Sequence, residues 1–238
     1  MTNRSDERDS TDRDRATADS TTEEPETTTA EYERLSNNPY APDVPRDFER
    51  PEKVPVWDDQ YLDAVALRLL HYYDLEQDKD VDGERFPMYG QLHVQNERHA
   101  VHPALSFGEH YSEEHLFVRR EAYPIRSTLE SLEELGERLA GLWIEPSEEH
   151  YSTDFSFVVV AETIPEDVSS FVTGYRNRTL LKYGYNGHYE INLVVVAPDH
   201  QELVQSKTVD VGSAFRTWEP IRRKEPGRLG RFLDWISR

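Results

Sequence analysis

The sequence predicts an α+β fold: a mostly antiparallel sheet with two or three helices packed on one face, behind a disordered acidic N-terminus. Three observations carry this. Apolar residues recur at helical spacing over 61–73 and 129–143. Polar–apolar alternation at 88–95, and unbroken apolar runs at 157–161 and 193–197, mark strands. Residues 1–30 hold no Val, Ile, Leu, Phe, Trp or Tyr, and such a segment cannot bury enough surface to offset chain entropy.

Taken in order, residues 1–35 form the acidic tail and 36–56 a proline-punctuated strap. Pro39, Pro42 and Pro45 fall on one edge of a polyproline II helix, suited to an aromatic groove elsewhere or to this chain's own surface. A single domain spans 57–220. Asp58 caps its first helix, whose apolar face is Tyr61, Leu62, Val65, Ala66, Leu69, Leu70 and Tyr73. Met88, Gly90, Leu92 and Val94 form the inner face of a strand. An extended piece at 101–107 and a strand at 115–121 follow.

Ser127-x-x-Glu130 is a capping box for a second helix lined by Leu129, Leu132, Leu135, Leu139 and Trp143. Phe155–Ala161 is a strand buried on both faces. Thr163-x-x-Glu166, with Pro165 in the first turn, opens a short helix ending near Gly174. Asn186-Gly187 is a type I′ signal joining two antiparallel strands, 179–185 and 188–197. Residues 221–238 read as a basic amphipathic helix.

Composition narrows the function. The chain has 238 residues, 47 acids against 27 Lys plus Arg, a net charge of −20 and no cysteine. Thiolate chemistry and cysteine-ligated metals are excluded. The longest strictly apolar runs are five residues, against the ~20 of a membrane-spanning helix. MTNRSDERDS has no apolar stretch of a secretory signal, so the expected location is cytoplasmic. A broad nucleic-acid face is disfavoured at this charge. No GxxxxGK[ST] or GxGxxG loop occurs.

The segments NNPYAPDVP, HPALSFGEHYSEEHLF and LLKYGYNGHYEINLVVVAP, spread over about residues 36–220, resemble a set of uncharacterised haloarchaeal proteins. The acid excess, the use of five lysines only and the absence of cysteine accord with that style of salt adaptation. The resemblance implies a salt-adapted cytoplasmic protein and brings no activity or catalytic residue.

Four constellations could carry chemistry. Asp78, Asp80 and Asp82 precede Gly83 at the spacing of a calcium loop, with Glu84 as a further oxygen donor; Tyr89 stands where the closing bidentate Glu belongs. The alternative is a solvated acidic turn, and calcium is the one cofactor suggested. His102, His110 and His115 lie among glutamates and could ligate zinc, although His110 and His115 are one residue too far apart for a common helical face. Arg176, Arg178, Lys182 and His188 gather among tyrosines, a composition that holds phosphate and stacks a ring; the alternative is local ion pairs. Leu229, Arg231, Phe232 and Trp235 suit an anionic membrane surface, an acidic partner, or this protein's own acidic body.

No catalytic motif is complete. The leading reading is therefore a binding or interaction protein without catalytic activity, its partner an unidentified protein or small molecule. The alternatives are a metal-dependent hydrolase of a phosphate-containing substrate and a peripheral membrane protein attached through the C-terminal helix.

Overall fold

Two strands with continuous apolar runs occupy the middle of the molecule, and their burial on both faces sets the architecture. The computed structural model describes residues 26–41, 44–96, 110–209 and 211–220. Among them the order is α1 (Glu26–Ser36), α2 (Gln60–Leu69), β1 (Asp74–Val81), β2 (Glu84–Asn96), β3 (His110–Arg120), α3 (Arg126–Trp143), β4 (His150–Val160), α4 (Glu166–Gly174), β5 (Asn177–Leu180), β6 (His188–Ala197), β7 (Glu202–Gln205) and α5 (Gly212–Phe215). The expected piece at 101–107, the C-terminal helix, and the acidic tail up to residue 25 lie outside the described residues.

The fold is α+β, with a mostly antiparallel sheet in the order β1-β2-β3-β4-β6-β5 and β7 paired to β6. The pairs β3–β4 and β4–β6 are parallel, the rest antiparallel. β5 and β7 lie along the same edge of β6, against residues 188–191 and 194–197 respectively.

The helices do not keep to one face. On one side, α2 and Phe215 of α5 cover Met88, Leu116, Val118, Val158, Val160, Val194 and Val196. On the other, Leu129, Leu132, Leu135 and Leu139 of α3, with Val168 and Val172 of α4, cover Phe86, Phe117, Phe155, Phe157, Ile191, Leu193 and Val195. The reason is in β4 and β6. Alternate residues of a strand point to opposite faces, so an unbroken apolar run needs cover on both. Gly136 marks the closest approach of α3: a Cβ there would lie 3.0 Å from Ile191 and Phe157 side-chain atoms.

Helix starts differ in detail from the sequence reading. Asp59, not Asp58, caps α2, accepting from the Tyr61 and Leu62 amides. Ser127 does not cap α3: the helix starts at Arg126 after Ile125, with no side-chain cap, and Glu130 pairs with Arg126 at 2.8 Å. Pro165 precedes α4, also without a side-chain cap.

The strap and α1 are tied to α2 through one buried carboxylate. Asp63 is fully buried in the first turn of α2. It accepts from Arg34 at 2.7 Å, from Arg50 at 2.9 Å and from the Trp57 amide at 3.1 Å. Glu31 accepts from both arginines. Leu35, Val54 and Trp57 complete the contact by joining the core under α2. Thus residues 26–35, the end of the segment read from composition as an unstructured tail, are helical, with Leu35 buried.

Removing one partner of a buried charge network leaves the others uncompensated. Asp63→Ala is expected to destabilise the protein by about 3–5 kcal/mol. A lowered denaturant midpoint together with faster proteolysis within 37–56 checks this; an unchanged midpoint contradicts it.

Candidate functional site

β3, β4 and β6 run parallel, and on the α2 side their apolar residues stop at Leu116, Val158 and Val194. Towards the strand starts the same face continues in polar residues. Leu116, Ser156 and Asn192 form one cross-strand row. Glu114, Asp154 and Glu190 form the next, and Ser112, Ser152 and His188 the one after. β5 extends these rows, with Arg178 opposite Glu190 and Leu180 opposite His188. Three carboxylates thus stand side by side on adjacent strands, about 4.8 Å apart along the sheet.

Contacts set their charges. Ser156 Oγ donates to Glu114 Oε1 at 3.0 Å. Glu190 Oε1 lies 3.5 Å from Arg178 and 3.7 Å from His188 Nε2. Asp154 Oδ1 is shielded from solvent and has no hydrogen-bond partner among the described residues. Burial, then the Glu114 and Glu190 charges, push the Asp154 carboxyl up to about 7, against the pull of Arg178. Burial, then Arg178, lower His188 below the usual imidazole range.

A loop at 181–187 overhangs this end of the sheet. It replaces the expected two-residue turn at Asn186-Gly187, because of that pair only Gly187 has the positive φ that a type I′ turn requires twice. Lys182, Tyr183 and Gly184 are consecutively left-handed, with φ of 43°, 59° and 92°. Left-handed non-glycine residues are costly and persist only where surrounding contacts enforce them. Here the Leu181 amide donates to the Gly187 carbonyl, the Asn186 amide to Leu181 and the Tyr185 amide to Lys182. His150 completes the anchor, its Nδ1 at 2.8 Å from the Asn186 carbonyl and its Nε2 at 2.8 Å from Thr153 Oγ1. Gly187 lies hard against β4: a Cβ would fall 2.3 Å from the Tyr151 carbonyl oxygen, so no other residue fits without moving the loop.

The loop holds Tyr183 and Tyr185 outward, 95 % and 85 % exposed. Tyr185 overlooks a cleft of about 240 Å³ that Tyr151, Arg178, Leu180 and His188 also line. A shallower depression of about 590 Å³ adjoins it, lined by Glu148, Lys182, Tyr183, Tyr185 and Asn186. Tyr151 meets the His188 ring edge-on, with centroids 5.8 Å apart.

Of the basic group named from sequence, Arg178 and His188 are therefore together in one cleft, with Lys182 at its rim. Arg176 is exposed immediately after Tyr175, the residue that ends α4, and does not line either hollow.

The acidic motif is not a loop. Asp78 and Asp80 lie on β1, Glu84 begins β2, and Asp82-Gly83 makes the tight turn between them, both residues left-handed. Arginines take three of these four carboxylates: Arg85 contacts Asp78 at 3.2 Å, Arg138 contacts Asp82 at 2.7 Å and Arg119 contacts Glu84 at 3.5 Å. His102 and the side chain of His110 lie outside the described residues, as do Leu229, Arg231, Phe232 and Trp235. His115 is a core residue. It stacks on Phe155, meets Trp143 edge-on at 4.9 Å and sits 2.8 Å from the Tyr89 hydroxyl. Burial, then His93, lower its imidazole to about 4. Among the described residues no three His, Asp or Glu side chains come together as metal ligands, and no helix is long and apolar enough to cross a membrane.

Sequence reasoning missed the row Glu114, Asp154, Glu190. Its only trace was polar residues at a spacing of two inside strands: Ser112 and Glu114; Ser152, Asp154 and Ser156; His188, Glu190 and Asn192.

Asp154 carries a testable pH signature. Its folded value lies above that of a free carboxyl, so between pH ~4 and ~7 the folded protein holds a proton that the unfolded chain releases. The Asp154 contribution to stability therefore declines as pH rises through this window, by up to about 1.4 kcal/mol per pH unit. Asp154→Asn removes the decline. The stability of the variant relative to the parent is expected to increase from pH 4.5 to 7 and level off above; a constant difference in denaturant titrations contradicts the assignment.

Comparison with curated proteins finds no match, and comparison with solved structures finds none either. Residues 58–217, which hold α2–α5, every strand of the sheet and the polar rows, match the family described as a domain of unknown function (DUF8052), and the chain belongs to that family.

Proposed function

We propose that this is a salt-adapted cytoplasmic binding protein, of haloarchaeal type, that takes a small anionic, ring-bearing ligand in the cleft beside the 181–187 loop. The observation that carries the reading is the pair Tyr183 and Tyr185, both outward on one hydrogen-bonded loop, Tyr183 on left-handed and Tyr185 on right-handed helical backbone, beside Arg178 and His188 with Lys182 in the adjoining depression. The loop's hydrogen bonds fix the backbone that carries the rings, so little backbone order is lost on stacking. Arg178 is 42 % exposed and offers a guanidinium to an anionic group despite its contact with Glu190.

Salt adaptation bears on how such a ligand is held. At a net charge of −20, long-range attraction of an anion is unfavourable in dilute buffer. In molar salt the screening length is about 3 Å, so only contact interactions count, and stacking becomes the larger share of affinity. Binding rather than hydrolysis is favoured because His115, the histidine named as a ligand whose side chain is described, is committed to an aromatic core.

Adenosine monophosphate, ribose 5-phosphate and inorganic phosphate separate the contributions of ring, sugar and anion. Titration calorimetry of the full chain in 2 M KCl is expected to give saturable binding with the nucleotide tightest. Tyr185→Ala is expected to weaken it by about tenfold, a share typical of one stacked base, and Arg178→Ala to weaken all three. Absence of saturable binding by any of the three at millimolar concentration would refute the proposal.

A further inference from the structure

The polar rows link the cleft to a shared proton. Arg178 lines the cleft and touches Glu190; Glu190 stands next to Asp154, and Asp154 next to Glu114. Resting on the binding reading above, we infer that anion binding at Arg178 is coupled to uptake of a proton by the Glu114–Asp154–Glu190 row.

The argument starts from geometry. Like charges directly opposite on neighbouring strands repel, and three carboxylates in one row do not all ionise at neutral pH. The central member has two like neighbours and the outer members one each, so the proton resides chiefly on Asp154. Its Oδ1 is shielded and without a hydrogen-bond partner among the described residues, which adds to the penalty on the charged form. Among the described residues the charged groups that face it are Glu114 from β3, Glu190 from β6 and Arg178 from β5. His188 on β6 faces Glu190.

Arg178 is the one cation in that set, and it is half open to the cleft while Glu190 is almost wholly buried. An anion placed on the guanidinium offsets its positive charge. Glu190 then presents a less compensated charge to Asp154, and the proton affinity of the row rises. Because linkage is reciprocal, protonation of the row strengthens anion binding by the same factor. The observable is net proton uptake on binding.

Two measurements on the full chain in 2 M KCl test this. The first needs no ligand. Carboxyl carbon NMR is expected to place the Asp154 midpoint near neutrality, moved upward in Arg178→Met and downward in Glu190→Gln. An Asp154 midpoint near 4 in the parent protein overturns the shared proton.

The second is calorimetry with adenosine monophosphate at pH 7 in two buffers of different ionisation enthalpy. Uptake of a fraction of one proton per ligand is expected, with affinity falling several-fold from pH 6.5 to 8. Asp154→Asn is expected to bind with the uptake abolished. Binding without proton exchange in the parent protein, or uptake that persists in Asp154→Asn, overturns the coupling alone. Failure to bind removes the coupling together with the binding reading, and the NMR result still decides where the proton resides.

Discussion

Burial of β4 and β6 on both faces is the constraint from which the rest of the molecule follows. Each carries an apolar run without alternation, and each lies inside the sheet with neighbours on both sides. Leu193, Val194, Val195 and Val196 are all buried, two towards α3 and two towards α2. A single helical layer would leave half of these side chains in water, at roughly 1.5–3 kcal/mol each. Helices therefore occupy both sides, and the connections through α3 and α4 allow β3, β4 and β6 to run parallel. The apolar runs start only partway along the strands, and polar residues occupy the strand starts. Polar side chains of three strands are thereby collected at one end of one face, where the 181–187 loop also stands.

The N-terminal arm shows a second use of burial. Arg34 and Arg50 converge on Asp63 from elements that sequence composition assigns to a tail and a linker. An exposed ion pair has little value in concentrated salt, but this carboxylate is fully enclosed and its partner Arg50 nearly so. Screening ions do not reach it. The contact supplies direction, since two arginines and an amide at one carboxylate define where the chain must pass. Trp57 and Leu35 supply the apolar area.

Much of the fold was legible because local pattern and tertiary role agreed. The 3.6-residue spacing in α3 is the spacing of its buried face, whereas α2 is buried all round from Tyr61 to Leu69, and the apolar run of β6 is its two-sided burial. Legibility failed where one pattern serves two structures. Asp78, Asp80 and Asp82 alternate as ligands do in a calcium loop and also as exposed residues do along an edge strand; the hairpin register decided between them. His115 read as a surface ligand beside glutamates, yet its β4 neighbour is Phe155 and its Nδ1 meets the Tyr89 hydroxyl. The row of Glu114, Asp154 and Glu190 was invisible for the same reason. Its members come from strands 36–40 positions apart, and only strand register places them together. Arg178 and His188 were legible because one hairpin contains both.

The outer edge of the sheet at β1 has a consequence for how the molecule meets copies of itself. Six of its eight residues are ionisable or amide-bearing beyond the two apolar positions that face inward. Asp78 is left-handed opposite Pro87, which has no N–H to offer, so the ladder is interrupted in mid-strand. At high ionic strength, repulsion between such edges is screened and charge alone is a poor barrier. What persists is the need to strip water from carboxylates and to match a broken backbone repeat. The margin is thus self-limiting by hydration and by shape, two properties that concentrated salt does not erase.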